Sequence, residues 1–409
     1  MVPFENRFRG EGTRSMSDDN GKFSGREVVI VEAARLPVGR GHLEKGYYKD
    51  THPSTLLATV YSALFERSGV DPMEVGDVIG GCVQQFGEQG LNIGRNAWLE
   101  AGLPIEVPAT TVDRQCGSAQ QGINFAAALI ASGVHDVAIG GGVEHMGHIS
   151  FADSFEVMKE HGFAFSEQLN ERFNLVPQGI SAEMIADQWE IPRSELDEIG
   201  VRSHQLAARA TEEGRFEREI VPFKSNGDTF VTDQGIRPDS SVETLSQLKP
   251  AFKEDGKITA GNSSQVSDGA AAVLLMTAEK AKELGVTPRA KIVDQTTVGV
   301  DPVIMLTGPI PATERILKRN GMTIDDIDLF EVNEAFASVV AAWRREHDPD
   351  WDRVNVNGGA IALGHPLGST GARLMTTLLH EMERADKETG LVTMCCGGGL
   401  GTGTLIQRV

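Results

Sequence analysis

Cysteine is scarce in this chain of 409 residues, which contains four, at positions 82, 116, 395 and 396. Four cysteines cannot form the disulfide framework of a small secreted protein. No pair has the C-x-x-C spacing of a zinc site, so we expect no bound metal. Cys395 and Cys396 are neighbours, and a bridge between them would be strained. We therefore expect free thiols that are either buried in the core or used in chemistry.

Long apolar runs are also missing, and basic side chains are outnumbered by acidic ones. No stretch reaches the roughly 18 apolar residues that a membrane-spanning helix needs. The first residues have no apolar core of the signal-peptide type, so we expect a cytoplasmic protein without a membrane anchor. Lys and Arg number 38 against 58 Asp and Glu, which gives a net charge of −20. Such a surface disfavours nucleic acid as a partner.

Glycine, in contrast, is abundant, with 46 residues in the chain. Its share exceeds the usual value of about 7% and indicates many tight turns and close backbone approaches. Residues 1–25 are polar, rich in glycine and without periodicity, which predicts a disordered tail. Met16 is a second candidate for the initiator methionine.

From Glu27 onward, strand-like and helical patterns alternate, as is typical of an α/β domain with a buried sheet. Predicted strands lie near residues 27–31, 77–83, 109–112, 136–140, 269–277, 291–298, 327–332 and 391–396. Predicted helices lie near residues 53–68, 92–101, 118–132, 311–319, 334–346 and 369–383.

A charged and polar segment interrupts this alternation. Its clearest element is a helix from Ser194 to Gly214, in which Ser194 and Asp197 resemble a capping box. We interpret the segment as an insertion that covers a site. The predicted organisation comprises one α/β half from residues 26–145 and 267–288, an inserted loop domain at 146–266, and a second α/β half at 289–409.

The two predicted halves share a repeated sequence pattern. Gly117-Ser118 opens a helix that leads to a strand and to the glycines at 140–142, and Gly368-Ser369 opens one that leads to a strand and to the glycines at 397–399. We expect the two copies to place a helix N-terminus and a triple glycine in equivalent positions. Active sites often form where two such halves meet.

Two residues in these turns have the chemistry of a nucleophile and a base. Cys116 lies between a strand and an apolar helix, where unpaired N–H groups would lower the pKa of a thiol. His365 projects from a sharp Gly-His-Pro turn and is a suitable base for activating a thiol. The alternatives are a buried structural cysteine and a turn histidine that binds the backbone.

Further candidates follow two of the predicted strands. Cys395 precedes the turn at Gly397, whose N–H group is a candidate oxyanion donor. Cys396 is expected to be inert core. Asn333 stands at a strand-to-helix corner, where it is either a helix N-cap or a ligand for a water or a carbonyl oxygen.

Together these blocks resemble the signature blocks of the thiolases, which are acetyl-CoA C-acyltransferases. The blocks are Cys-Gly-Ser at 116–118, Asn-Glu-Ala-Phe at 333–336, Gly-His-Pro at 364–366 and Cys-x-Gly-Gly-Gly at 395–399. The second cysteine before three glycines distinguishes them from the related ketoacyl synthases. The resemblance implies the thiolase fold, namely two similar α/β halves, each with a mixed sheet between helices, and an inserted loop domain.

The resemblance also implies a role for each candidate. Cys116 would be the acylated nucleophile, His365 its base, and Cys395 the acid and base at the substrate α-carbon. Asn333 would hold a water that forms one oxyanion hole with His365. The N–H groups of Cys116 and Gly397 would form the other. These parts serve thiolysis of 3-ketoacyl-CoA and the reverse Claisen condensation, because both need a stabilised enolate.

Coenzyme A and acyl-CoA would be the substrates, with no tightly bound cofactor. By resemblance the CoA contacts are Arg237, at the adenine end, Ser264, at the pantetheine, and Phe252, Ala260 and Phe336. Other basic residues of the insertion are candidates for the phosphates: Lys224, Lys249, Lys253 and Lys257.

One departure from many biosynthetic thiolases is Pro177-Gln178-Gly179 in place of His-Met-Gly, which weakens the case for acetoacetyl-CoA as the preferred substrate. The resemblance also implies a homo-oligomer, either a dimer or a tetramer. The alternatives are a specialised acyl-CoA condensing enzyme and a non-catalytic CoA-binding subunit.

Overall fold

A computed structural model of the protein describes residues 22–409, so most of the predicted tail at 1–25 lies outside the described residues. The strands are β1 (Val28–Arg35), β2 (Gly39–Arg40), β3 (Asp77–Gly81), β4 (Ala109–Val112), β5 (Val137–His145), β6 (Phe223–Ser225), β7 (Asp228–Phe230), β8 (Ser267–Thr277), β9 (Ala290–Gly299), β10 (Leu329–Val332), β11 (Thr389–Cys396) and β12 (Leu400–Arg408).

The helices alternate with these strands. They are α1 (Pro53–Ser68), α2 (Ile93–Glu100), α3 (Ser118–Ala131), α4 (Phe151–His161), α5 (Glu167–Arg172), α6 (Gln178–Gln188), α7 (Arg193–Glu212), α8 (Val242–Ser246), α9 (Ala278–Leu284), α10 (Pro309–Asn320), α11 (Ala337–His347), α12 (Ala360–Leu363) and α13 (Thr370–Arg384). Within residues 22–409 no helix is both long and apolar enough to cross a bilayer.

The larger sheet contains ten strands in the order β10-β11-β12-β9-β1-β8-β5-β3-β4, with β2 paired to β8. Each half is mixed, because β3 runs parallel to β4 and β5, and β10 runs parallel to β11, whereas the other pairs are antiparallel. The predicted fold class is confirmed with one difference. The two half-sheets are continuous, since Val29 and Ile30 of β1 pair with Lys291 and Ala290 of β9.

Helices α3 and α13 form the middle layer of the molecule. Side chains of both helices share one buried cluster with strands from both halves, including Ile123, Leu378, Val273 and Val392. Helices α1 and α2 cover the outer face of the first half, and α10 and α11 cover that of the second. The residues that precede α3 and α13 therefore meet in the interior.

The prediction that the two copies place a helix N-terminus and a triple glycine in equivalent positions is only partly correct. Helices α3 and α13 do begin at equivalent places, but the glycines at 140–142 lie inside β5, whereas those at 397–399 form the turn between β11 and β12. The reason is steric in each case. A side chain at Gly142 would collide with the carbonyl oxygen of Gly368, and Gly398 and Gly399 have φ values of 80° and 79°.

Residues 146–266 contain α4 to α8 and the hairpin β6–β7. A buried arginine ties this segment to the sheet, because Arg35 of β1 binds Glu219 at 2.6 Å and Asp233 at 2.7 Å. The predicted capping box is wrong, since α7 begins at Arg193. Asp197 is instead buried and accepts hydrogen bonds from Arg193 and from Asn262. That tertiary contact uses the carboxylate that a capping box would need.

Candidate active site

Cys116 lies in a tight turn between β4 and α3. Gln115 adopts a left-handed conformation with φ of 51°, and its backbone N–H donates to Asp113 at 2.6 Å. The Ser118 hydroxyl closes the turn by donating to the carbonyl of Gln115 at 2.6 Å. Only 3% of Cys116 is exposed. The turn thus holds the thiol at the start of α3 and inside the protein.

The electrostatic surroundings of Cys116 differ from the expectation. Burial raises the pKa of this thiol to about 11, although the backbone N–H groups of Gly397 and of Cys116 itself act in the opposite direction. Desolvation therefore outweighs these two N–H groups. Both of them lie beside the sulfur, which makes them candidate donors for an oxyanion on a carbon bonded to it. At neutral pH the thiol is protonated and needs a base to become a nucleophile.

His365 is buried in the loop between α12 and α13. Its Nδ1 lies 2.7 Å from the Thr370 hydroxyl, which itself donates to the carbonyl of Pro366 at 2.8 Å. Thr370 must therefore accept the proton of Nδ1, which leaves Nε2 as the basic nitrogen. Burial and the charge of Arg373 lower the pKa of His365 to about 3, so the imidazole is neutral. The sequence analysis did not identify Thr370 as the partner of His365, although Thr370 begins α13 only five residues after the histidine.

Asn333 stands at the end of β10, beside this imidazole. Its Nδ2 lies 3.3 Å from His365 Nε2, and its buried Oδ1 has no hydrogen-bond partner among residues 22–409. The N-cap alternative is wrong because α11 begins at Ala337, with Phe336 at the cap position. The Asn333 amide is therefore directed toward the histidine.

The neighbouring Glu334 was not singled out from the sequence. Its buried carboxylate accepts hydrogen bonds from Ser203 at 2.6 Å, from Asn355 at 3.0 Å and from the N–H of Ile361 at 3.2 Å. These bonds fix the segment that leads through α12 to His365. Glu334 thus positions the histidine loop against the asparagine.

Cys395 is the penultimate residue of β11 and lies two residues after Thr393, whose carbonyl accepts the N–H of Asn333 at 3.1 Å. It packs in the same apolar cluster as Met305 and Phe336. Burial raises its pKa well above the usual range, and the Cys116 thiol is close enough to raise it further. The Cys396 sulfur also lies near the nucleophile turn, 2.6 Å from the point that a Cβ at Gly117 would occupy. The inert core role of Cys396 stays a prediction.

The loops that carry the two sets of residues touch each other. The backbone nitrogen of Ala119 and the carbonyl oxygen of Gly368 both crowd Gly81, leaving no room for a side chain there. Cys116 and Leu367 belong to one buried cluster. The structure therefore brings together Cys116 and Gly397 with Cys395, Asn333 and His365.

The five predicted CoA contacts lie on the loops around this centre. The backbone N–H of Ser264 donates to the carbonyl of Ala335 at 3.0 Å. The Phe252 and Phe336 rings pack edge to face, with 5.9 Å between their centroids. Phe252 is 43% exposed, and Ala260 is also exposed.

Arg237 is exposed and makes no ion pair among residues 22–409. Its segment is held near the histidine loop, because the Gln265 side chain donates to the carbonyls of Gly235 and Ala362, each at 3.0 Å. Two of the candidate lysines are committed elsewhere, since Lys253 and Lys257 pair with Asp187 at 3.5 Å and 2.9 Å. Arg237 is thus better placed than these two lysines to receive an anionic group.

Comparison with known proteins assigns nearly all of the described chain to one family. Residues 28–279 match the thiolase N-terminal domain, and residues 286–408 match the thiolase C-terminal domain. A steroid 3-ketoacyl-CoA thiolase of Mycobacterium tuberculosis is 45% identical over 389 residues, covering 94% of each chain. A 3-ketoacyl-CoA thiolase of Idiomarina loihiensis is 46% identical, covering 94% of this chain and 100% of the relative.

A solved structure agrees with these matches. The acetyl-CoA acetyltransferase of Bacillus anthracis is 38% identical and superimposes with a TM-score of 0.85, covering 94% of this chain and 100% of its own. The relatives span the same length as this chain and share both of its halves. The chain therefore belongs to the thiolase family of acyl-CoA C-acyltransferases.

Proposed function

We propose that the protein is a 3-ketoacyl-CoA thiolase that works through an acyl-enzyme on Cys116. One observation carries the proposal. The Cys116 thiol has two N–H donors beside it and a second buried thiol close by, and it shares a buried cluster with Leu367 of the loop that carries the neutral imidazole of His365. A Claisen cleavage needs a nucleophile, its base, an acid for the leaving carbon and stabilisation of two oxyanions, and the site offers a group for each.

In the first half of the proposed reaction, His365 Nε2 takes the proton of Cys116. The thiolate attacks the 3-keto carbon, whose oxygen becomes an oxyanion bound by the N–H groups of Cys116 and Gly397. The bond between carbons 2 and 3 then breaks, and Cys395 protonates carbon 2 to release acetyl-CoA. Asn333 orients a water that, together with the proton now held by His365 Nε2, stabilises the enolate oxygen.

In the second half, free CoA takes the acyl group. The Cys395 thiolate removes the proton of the CoA thiol, and the CoA sulfur attacks the thioester on Cys116. The carbon–sulfur bond to Cys116 breaks, and the leaving thiolate recovers its proton from His365. Each residue thereby returns to its starting state.

We infer that the inserted domain at 146–266 is the lid that binds CoA. Arg237 supplies a free cation to an otherwise acidic chain of net charge −20. Ser264 contacts the pantetheine, and Phe252, Ala260 and Phe336 line its path. This inference is supported by hydrogen bonds that hold these loops near the site, from Ser264 to Ala335 and from Gln265 to Ala362.

The substrate is proposed to be a 3-ketoacyl-CoA longer than acetoacetyl-CoA, as the names of the relatives and the Pro177-Gln178-Gly179 departure both suggest. Thiolysis of acetoacetyl-CoA and of 3-ketohexanoyl-CoA, measured side by side, tests this preference. Cleavage of neither compound would favour a specialised condensing enzyme, and a Cys116 inert to acyl-CoA would indicate a non-catalytic CoA-binding subunit.

We also propose a cytoplasmic homo-oligomer, either a dimer or a tetramer. A reducing compartment keeps Cys116 and Cys395 available as thiols, which the reaction requires. Light scattering measures the assembly directly. A mass of two or four times 44.0 kDa supports it, and a monomer at micromolar concentration contradicts it.

The four cysteines should differ in their reaction with iodoacetamide. Cys116 should be labelled first, because burial raises the pKa values of Cys82, Cys395 and Cys396 more strongly. Since its own pKa lies near 11, the labelling rate should increase by about tenfold per pH unit through pH 9. Peptide mass spectrometry with and without acetyl-CoA as protectant measures this. A rate that levels off near neutral pH contradicts the raised pKa.

Replacing Thr370 with valine should lower kcat by about 10–100-fold with little change in KM, because the change removes the acceptor that fixes the His365 tautomer. Thr370→Ser keeps the hydroxyl and should restore most of the rate. Steady-state thiolysis by the three proteins is the measurement. Equal kcat values for the Thr370→Val variant and the wild type would show that this hydrogen bond does not determine which nitrogen of His365 acts as the base.

Cys395→Ala should separate acylation from carbon chemistry. The variant should still form an acyl-enzyme from acetyl-CoA, since exchange of one thiolate for another needs only His365. Exchange of the methyl protons of acetyl-CoA with deuterium should fall by about 10²–10⁴-fold, as expected for loss of a general base. Cys396→Ala is the matched control and should retain exchange. Near-normal exchange without Cys395 would assign the α-carbon base to another residue.

A further inference from the structure

Two glutamine side chains border the position next to the Cys116 nucleophile. A Cβ placed on Gly397 would lie 2.8 Å from Gln178 Nε2 and 3.2 Å from Gln115 Oε1. Gly397 is the residue whose N–H faces the Cys116 sulfur. Both glutamine side chains are half-buried. The wall beside the nucleophile is therefore made of amide groups rather than of hydrocarbon.

The two amides present complementary free groups. Gln115 Nε2 donates to both carboxylate oxygens of Asp113, at 3.3 Å and 3.1 Å, so its Oε1 must face the other way. Among residues 22–409, neither Gln115 Oε1 nor the Gln178 amide has a hydrogen-bond partner. The site thus offers one free acceptor and one free donor side by side.

The backbone segments that carry the two amides are held in place. Gln115 has a φ of 51° in the nucleophile turn. Gln178 is the first residue of α6, and a side chain on the following Gly179 would collide with the Phe252 ring. The Phe252 ring in turn packs against the Phe336 ring, with 5.9 Å between the ring centroids. The start of α6 is therefore held against the site.

If the proposed function is correct, an acyl group bound to Cys116 would lie beside these amides, because they border Gly397. A purely apolar chain would cover the free donor and acceptor without satisfying them, which is unfavourable. A hydroxyl would satisfy both, by donating to Gln115 Oε1 and accepting from Gln178 Nε2. A carboxylate would face the Gln115 oxygen and the nearby Asp113, and would be repelled.

We propose that Gln115 and Gln178 select acyl-CoA substrates that carry a hydroxyl one or two carbons beyond the acylated carbon. The step at which selection acts is the transfer of the acyl group from CoA to Cys116. In this step a bond forms between the Cys116 sulfur and the acyl carbon, and the bond between that carbon and the CoA sulfur breaks. The proton of Cys116 passes through His365 to the CoA thiolate.

The test is a competition between 3-hydroxybutyryl-CoA and butyryl-CoA for Cys116, read by mass spectrometry of the acylated peptide. The two acyl groups differ only in the hydroxyl. Wild-type protein should take the hydroxylated group about tenfold faster or more. Gln178→Met should lose this preference and accept butyryl-CoA faster than the wild type does. Gln188→Met, at the exposed end of the same helix, should behave like the wild type.

The outcomes separate this inference from the proposed function. If neither compound acylates wild-type Cys116, the proposed acyl-enzyme is wrong. If both acylate it at equal rates, or butyryl-CoA is faster, the acyl-enzyme stands and the selection by the two glutamines is overturned. The wild-type comparison decides this even if Gln178→Met does not fold, and Gln115→Leu provides a second variant on the acceptor side.

Discussion

The close approach of α3 and α13 is the constraint on which the site depends. A side chain at Gly371 of α13 would collide with the backbone nitrogen of Gln120 in α3, so the helices meet only because that residue is glycine. The buried carboxylate of Glu144, on β5, accepts the N–H of Gly368 at 2.8 Å and locks the loop before α13 to the first half. This contact places the turn of Cys116 against the loop of His365, although they are distant in sequence.

Burial in this middle layer then sets the chemistry. It keeps the imidazole of His365 neutral and the thiol of Cys116 protonated, so the two begin as an uncharged pair rather than as thiolate and imidazolium. Charge develops only when a proton leaves Cys116, and the proposed role of the N–H groups of Cys116 and Gly397 is to stabilise the negative charge that then forms. In a site shielded from water, such fixed donors stabilise an oxyanion more strongly than they do in solvent.

Local patterns predicted much of this arrangement, and tertiary contacts account for the rest. The helix predicted at 53–68 is α1, and the turns around Cys116 and His365 lie where glycine and proline indicated. The capping box predicted at Ser194 is wrong because Asp197 binds Asn262 instead, and the N-cap alternative for Asn333 is wrong because its amide lies against His365. The raised pKa of Cys116 depends on how deeply the two halves enclose it, which no local pattern encodes.

The most direct measurement mixes the wild-type protein with acetoacetyl-CoA in the absence of free CoA, quenches with acid and maps the acyl group by peptide mass spectrometry. We expect one acetyl group per chain, on the peptide that contains Cys116, and its loss when CoA is added. An acetyl group on Cys395 or Cys396, or no adduct while acetoacetyl-CoA is still cleaved, would contradict it.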